Sequence, residues 1–430
     1  MPLPGPRPRV GGGDGGRTTV GTNGRPPTPR SVARATWVLV AIRAGYAYNW
    51  FDIGPALPGI GATFHIGPAQ FGLLVGAFLA GAGALQVPAG LLGRRYGNRP
   101  VALAGAIVLA VFGLASGLAP SFVTLLAFRV AAGAGAGLFF SPAISLVAGM
   151  YPEGGRGLAV GGFSSAFSAG AGAGVLVTAL IVPVIGWHAA LIVGGLELAV
   201  LSVAGLLAVP SSVERPRPAG RSALPTAALG FRGVWAIGLA FVGMEGASFA
   251  TGQFIVPYGE ALRGWSPSVA GLVGMMFVLP SVAGGPVGGP IADRRRDHRT
   301  QLALAAGAGA FVLAWLPVAG LAGALAIGAS FSFAYGFVYA VMYVVPHYWR
   351  NVPADEVPLA IGLFNAIQLA GGASVAYLFG RVVAFSSYAI GWEVLAGVDV
   401  LTLVALFALP PTPPAPRPGG PPPAAAVAPP

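Results

Sequence analysis

Apolar runs of about twenty residues or more follow one another along almost the whole chain, separated by short loops, and no other feature constrains the fold so tightly. Wound as an α-helix, a run of that length spans the hydrocarbon core of a bilayer, where the backbone has no water to bond and must satisfy itself. The runs predict helices near 36–57, 70–92, 101–119, 121–149, 157–182 and 187–209, then near 233–258, 268–290, 301–320, 322–347, 357–383 and 388–409. One connection alone is long and polar, from about Ser211 to Arg232, and it divides the spans six and six. Only 9% of the residues are charged, too few to coat a water-facing globule, for which roughly 25% is usual. The 68 glycines suit helices that approach closely where no hydrophobic force draws them together.

The expected fold is therefore an all-α membrane protein of twelve transmembrane helices in two pseudo-symmetric six-helix bundles. Residues 36–209 form the N-terminal bundle and 233–409 the C-terminal bundle, with 210–232 a cytoplasmic linker. The Pro, Gly, Thr and Arg composition of 1–35 and the Pro/Ala composition of 410–430 predict disordered cytoplasmic tails. Residues 1–35 carry no apolar core of a signal peptide.

All 24 basic residues are arginine. They cluster on one set of loops and tails, which includes Arg94, Arg95, Arg99, Arg156, Arg215, Arg294, Arg299 and Arg350, whereas the opposite set holds Arg263. By the positive-inside rule both termini are cytoplasmic, and the asymmetry itself favours an even number of spans. The expected location is the plasma (inner) membrane, multi-pass. A basic balance can also signal nucleic acid, but arginines confined to short loops between apolar runs fit a membrane and no nucleic-acid partner.

The two halves align on each other. At an offset of 199, Pro58 meets Pro257, Pro68 meets Pro267, Gly72-Leu73 meets Gly271-Leu272, Phe78 meets Phe277 and Gly90 meets Gly289. At a slightly larger offset, Leu158 to Gly161 meets Leu359 to Gly362, Phe163 meets Phe364, and Ile185-Gly186-Trp187 meets Ile390-Gly391-Trp392. Repeated halves place a substrate site near the bilayer midplane, at the interface of the repeats, and permit alternating access by rocking of one half against the other.

On these features the chain resembles the major facilitator superfamily over about residues 36–409. Gly90-Leu91-Leu92-Gly93-Arg94-Arg95-Tyr96-Gly97-Asn98-Arg99 is similar to the family's loop after the second helix, and Gly289-Pro290-Ile291-Ala292-Asp293-Arg294-Arg295 is its second copy. Arg129 followed by Gly133, Gly135 and Gly137 resembles the family's fourth-helix pattern. Arg94 stands where the family usually has Asp, while Asp293 keeps it. In the family that Asp contributes to a cytoplasmic gate, so the resemblance implies a gating group of Arg94, Arg95, Asp293 and Arg294. With Asp355 and Glu356 just before the eleventh helix, a reversed charge pairing to Arg94 or Arg95 is the hypothesis; capping of that helix is the alternative. The fifth helix carries Gly170, Gly172 and Gly174 without the proline found in many drug–proton antiporters.

A charge inside the membrane is costly, by roughly 2.5–3.5 kcal/mol on insertion scales, so each one is a candidate for function. Glu245, midway along the seventh helix, is the candidate proton carrier; a structural carboxyl is the other reading. Arg43 can grip a carboxylate or phosphate bidentately; snorkelling to the surface or an ion pair with Glu245 is the alternative. Tyr46 and Trp50 share its face, and Tyr46 aligns with Glu245 in the repeat. Arg129 and Asp52 complete the proton-coupling candidates. Arg129 could instead satisfy carbonyls of the first helix, and Asp52 could be interfacial. Asn49, Tyr335, Tyr339, Asn365 and Gln368 complete the substrate-binding candidates. Tyr335, Tyr339 and Tyr343 recur every four residues, which also suits plain helix packing, and intramembrane amides also glue helices together. Glu197 and Asp399 are expected to be peripheral.

No phosphate loop or other enzyme signal is present. His65, His188, His298 and His347 are scattered without metal-ligand spacing, so neither metal nor cofactor is expected. The expected function is secondary active transport of a small organic solute, an anion being favoured by Arg43, coupled to protons by rocker-switch alternating access in a monomer. An efflux pump for drugs or metabolites is the alternative, and a non-transporting sensor a more distant one. If the gate exists, Arg94→Asp changes both transport and the labelling of cytoplasmic-side positions; unchanged values of both would remove it.

Overall fold

The computed structural model describes residues 28–151, 153–211, 226–295, 297–349, 351–353 and 356–411, so Asp355, residues 1–27 and 412–430 of the tails and most of the linker lie outside the described residues, while 29–35, expected to be disordered, are the start of the first helix. The helices are α1 (Pro29–Phe51), α2 (Ile53–Phe64), α3 (Pro68–Tyr96), α4 (Asn98–Ser116), α5 (Phe122–Met150), α6 (Glu153–Ala208), α7 (Thr226–Gly230), α8 (Arg232–Ala240), α9 (Val242–Leu262), α10 (Pro267–Met276), α11 (Ser281–Arg294), α12 (His298–Ala314), α13 (Leu321–Val344), α14 (Val357–Phe385) and α15 (Tyr388–Thr402). Among the described residues there is no strand.

Among the described residues, ten helical stretches are long and apolar enough to cross a bilayer. The departures from the expected twelve have local causes. α6 runs on through Gly186, whose φ of 79° and ψ of 163° only glycine adopts without strain. Its two arms lie in opposite directions against α1. Gly170 and Gly174 face Ala44 and Tyr48, rising together, whereas Gly194 and Gly205 face Tyr48 and Ile42, falling. α6 is thus two helices joined at Gly186, and it makes two crossings. The first crossing is divided at Asp52 into α1 and α2. Pro55, third in α2, has no N–H to return to the preceding turn, so the backbone ladder weakens there. The eighth crossing is likewise split into α10 and α11 by a turn over 277–280.

The repeat seen in the sequence is used twice in the packing. Gly72 of α3 lies against the backbone of Ala376, Tyr377 and Gly380 in α14, and its counterpart Gly271 of α10 lies against Leu176 and Ala179 in α6. Phe78 and Phe277 are both buried. Arg99 donates to the carbonyls of Leu206 (3.0 Å) and Val209, and Arg299 donates to those of Phe407 (3.2 Å) and Leu409. Each guanidinium closes the carbonyl end of the last helix in its half, where no intrahelical donor remains. The halves meet through α3 on α14, α10 on α6 and α2 on α9.

At the opposite membrane face, Arg263 donates to the carbonyls of Pro317 (3.2 Å) and Ala319. A second arginine, Arg381, stacks on Phe385 near the end of α14 at that face, an addition to the charge count that the loops alone suggested.

Close helix approach makes specific glycines irreplaceable. A methyl group on Gly133 of α5 would strike the backbone of Phe78 in α3, whereas one on Gly307 of α12 meets open space. Gly133→Ala is expected to cost about 1–3 kcal/mol through forced backbone separation. Gly307→Ala should be neutral or stabilising by up to about 1 kcal/mol. Unfolding of the two purified variants in detergent checks the contrast, and equal stabilities would contradict it.

Candidate functional site

Between the halves lies a cavity of about 830 Å³ whose two walls carry different chemistry. The wall from the first half presents Arg43, Tyr46 and Trp50 of α1, Gln86 of α3, Phe140 of α5 and Phe167 of α6. The wall from the second half presents Glu245 and Phe249 of α9, Tyr335, Tyr339 and Tyr343 of α13, and Asn365 of α14. Residues nearer the arginine-rich end, among them Ile144, Leu158 and Pro286, also line it, so the cavity extends toward that face.

Its opposite end is shut. Gln253 of α9 donates from Nε2 to the Trp50 carbonyl of α1 at 2.7 Å, a bond across the two halves. Phe51 and Phe249 stack with ring centroids 5.2 Å apart, and Trp50 lies 5.3 Å from Phe249. Gly54, pressed against Gln253, permits the approach. The first crossing is thus locked to the seventh beyond the cavity, while the arginine-rich side is left open.

Arg43 is the unusual residue of the site. It is 7% exposed, and its Nε and Nη1 have no hydrogen-bond partner. Its Cζ lies 4.5 Å from the centre of the Tyr46 ring, 4.6 Å from those of Phe140 and Phe167, and 5.5 Å from that of Phe163. The faces of these rings offset part of the lost hydration, each contact being worth up to about 2 kcal/mol when desolvated. They give no hydrogen-bond acceptor of carboxylate strength, and among the described residues no carboxylate pairs with Arg43. The guanidinium is held, oriented toward the cavity and left without its natural partner.

Glu245 has a different environment. It sits in the first turn of α9, after a break at Phe241, where the amide ends of a helix favour a carboxylate. Its Oε2 accepts hydrogen bonds from Tyr335 and Tyr339, both 2.9 Å. Tyr343 donates to Asn365 Oδ1 at 3.0 Å. The tyrosine stripe of α13 therefore faces the cavity and serves the carboxyl group; it is not plain helix packing.

Arg129 and Asp52 form a separate unit. Both are 1% exposed, with Nη1 and Oδ1 3.6 Å apart. Arg129 also donates to the Asn49 carbonyl at 3.4 and 3.5 Å and stacks over Phe78 at 4.5 Å. This pair ties α5 to the broken first crossing and does not line the cavity. Asn49 is directed away as well, donating to the carbonyls of Gly45 (2.9 Å) and Gly194 (3.0 Å). Gln368 is buried against Met342, with its Nε2 2.9 Å from the sulfur. Of the residues named from the sequence, Arg43, Tyr46, Trp50, Glu245, Tyr335, Tyr339 and Asn365 come together on the cavity; Asn49, Gln368, Arg129 and Asp52 do not.

The gating candidates lie at the arginine-rich face. Arg94 and Arg95 end α3 and are exposed, Arg294 ends α11, and Asp293 accepts from the Tyr348 hydroxyl at 2.9 Å. Glu356 precedes α14, its carbonyl accepting from Leu359 and Ala360. Cavity residues not named from the sequence are Gln86, Phe140, Phe167 and Phe249. Phe163 and Phe167, four apart among small residues, were the available signal for the aromatic ring around Arg43, as Gln86 was for a polar group inside an apolar run.

The family model described as Major Facilitator Superfamily matches residues 39–350. The 4-hydroxybenzoate transporter of Pseudomonas aeruginosa is 32% identical over 160 residues, 37% of this chain and 36% of that protein. The tetracenomycin C resistance and export protein of Streptomyces glaucescens is 31% identical over 167 residues, 38% of this chain and 31% of that protein. The match thus spans about a third of the length of these relatives. A solved D-xylose–proton symporter superposes with a TM-score of 0.70 at 17% identity, over 89% of this chain and 98% of that one, which is a likeness of fold.

Removing one partner of a buried ion pair strands the other, at a cost of about 3–5 kcal/mol. Asp52→Ala should therefore destabilise the protein by that order, and Asp52→Ala with Arg129→Ala should recover part of it. Chemical unfolding in detergent measures both; a single variant within about 1 kcal/mol of wild type would mean that the pair carries no structural load.

Proposed function

Because the chain belongs to the major facilitator superfamily and is a multi-pass membrane transporter, we propose that it carries a small organic anion across the membrane together with protons, by alternating access. The observation that carries this reading is Arg43, a buried guanidinium on the cavity wall with two unpartnered N–H groups and no carboxylate beside it. A carboxylate from solution supplies the missing bidentate acceptor. The rings of Tyr46, Trp50, Phe140 and Phe167 give an aromatic surround, suited to an acid that carries a ring of its own. The relative that carries 4-hydroxybenzoate, an aromatic carboxylate, points to the same class.

Coupling follows from charge. Closing the halves around the cavity withdraws Arg43 and Glu245 further from water, and an unpaired charge in that setting is expensive. A bound carboxylate neutralises the first, and a proton on Glu245 neutralises the second, its carboxyl remaining in contact with the Tyr335 and Tyr339 hydroxyls. Among the substrate-bound forms, only the one that also carries the proton is then neutral and free to close. By the positive-inside rule the open side is cytoplasmic, with both termini there, and the Trp50–Gln253 and Phe51–Phe249 contacts are the outer seal that opens in the other half of the cycle. In this reading Arg94, Arg95, Asp293, Arg294, Asp355 and Glu356 form the inner one. The two bundles, 36–209 and 233–409, are the rocking bodies.

Export of a larger amphipathic metabolite is the second reading, favoured by the aromatic character of the cavity and by the tetracenomycin C relative.

Proteoliposomes with an inward proton gradient should accumulate labelled aromatic acids faster than those without it, and ethidium-type efflux would instead favour the second reading. Arg43→Ala is expected to reduce uptake at least ~30-fold, the lower bound for a buried charge-assisted contact. Glu245→Gln should leave binding within a few-fold and abolish the response to the gradient. Gradient-driven uptake that survives in Glu245→Gln would show that the proton is carried elsewhere.

A further inference from the structure

A second hollow, of about 600 Å³, opens beside the central cavity on the flank between α6 and α11. Its back wall is α1, through Val40, Ala41 and Ala44; its sides are Ala166 and Ala169 of α6 and Ala283 of α11. Ser165 is its one polar side chain, and Trp37, 73% exposed, stands at the edge where an interfacial aromatic would sit. Gly162, Ser165 and Val282 line both spaces, so the groove adjoins the cavity.

The helices diverge to make it. Toward the shut end they are in close contact: an added Cβ on Gly172 of α6 would lie 3.2 Å from Leu279, and Gly271 and Gly274 of α10 press on Ala179 and Val175. The Ser168 and Ser281 hydroxyls, 2.7 Å apart, make the last bridge between the halves on this flank. Beyond it, a Cβ added to Gly161 or Gly162 on one side, or to Gly285 or Gly289 on the other, would meet nothing within 4 Å. An opening at membrane depth with apolar walls faces hydrocarbon, and its inner end meets the cavity that holds Arg43. On α1 the cation and the groove residues Val40 and Ala44 are within about one turn, roughly 5 Å along the axis.

We propose that this groove seats the hydrocarbon tail of an amphipathic carboxylate whose head group is held by Arg43, and that such substrates reach the cavity from the bilayer through the gap between α6 and α11. The proposal rests on the anion site argued above. A phospholipid chain alone would fill the groove without using the cation at its inner end, whereas an alkyl-bearing acid uses both. The small residues on the walls set the selectivity, because they leave the space that a tail occupies.

The test uses the full-length protein in lipid nanodiscs, with benzoate and 4-hexylbenzoate as probes. Ala166→Phe, which fills the groove, should raise the Kd of 4-hexylbenzoate at least tenfold and that of benzoate less than twofold; comparing each probe with itself cancels its partitioning into lipid. The chain has no cysteine, so Ala166→Cys gives a single reporter without added bulk. Its reaction with N-ethylmaleimide should be slowed at least fivefold by 4-hexylbenzoate and not by benzoate. Equal effects on the two probes, no protection of the cysteine, or a wild type that binds neither probe would overturn the proposal. Arg43→Gln separates the two readings. If it binds both probes as wild type does, the anion site itself fails; if it weakens both while Ala166 variants show no selectivity, the groove alone fails.

Discussion

In a bilayer no solvent is at hand to complete a hydrogen bond or a charge, and every polar group in this molecule is arranged around that constraint. Backbone groups are closed within helices. Where helices end at the arginine-rich face, Arg99 and Arg299 close the exposed carbonyls of the last helix in each half. Asp52 and Arg129 pair with each other, and Arg129 also donates to the Asn49 carbonyl. Glu245 takes two tyrosine hydroxyls. Against this background Arg43 departs from the rule: it is cushioned by rings and never matched by an anion of the protein. Other buried groups also lack a hydrogen-bond partner, among them the Asp399 carboxylate and the Trp50 indole N–H, but Arg43 is the charged donor on the cavity wall, where something that arrives from outside can meet it.

The cavity exists because the packing that surrounds it is tight elsewhere. Glycines set backbone against backbone along α3 and α5 and along α1 and α6 in the first half, and along α11 and α13 in the second, and these contacts make each wall a stiff unit. Stiff walls that meet at one end must part at the other, which is how the Trp50–Gln253 seal and the open arginine-rich side come from the same geometry. The gap between α6 and α11 has the same origin. It begins where the glycine contacts of α10 stop, at the Ser168–Ser281 bridge.

Much of this was legible in the residues. The matched glycines Gly72 and Gly271 appear in the alignment of the halves and then do equivalent work on opposite flanks. Arg43, Tyr46 and Trp50 share a face by helical period alone, and they share the cavity. Two kinds of information were hidden. Direction around a helix depends on which neighbour supplies a partner, so Asn49, three residues from Tyr46, is drawn to the Gly194 carbonyl and leaves the cavity; Gln368, three from Asn365, is drawn to Met342. Apolar ring clusters also look like core in a sequence, and Phe140 and Phe167 gain meaning only from the guanidinium between them.

The unmatched pairs of the repeat explain why a duplicated scaffold works as a coupled machine. Arg43 aligns with Val242 and Tyr46 with Glu245, so the first half supplies the cation and the second the carboxyl group. Had both been on one wall within reach, they would have paired, as Asp52 and Arg129 do, and neither would need a ligand. Held on opposite walls without an ion pair, each is neutralised by a different arriving species, so a carrier that has taken the anion closes only when the proton is also in place. The separation of the two charges, more than either residue alone, is what would make substrate and proton move together.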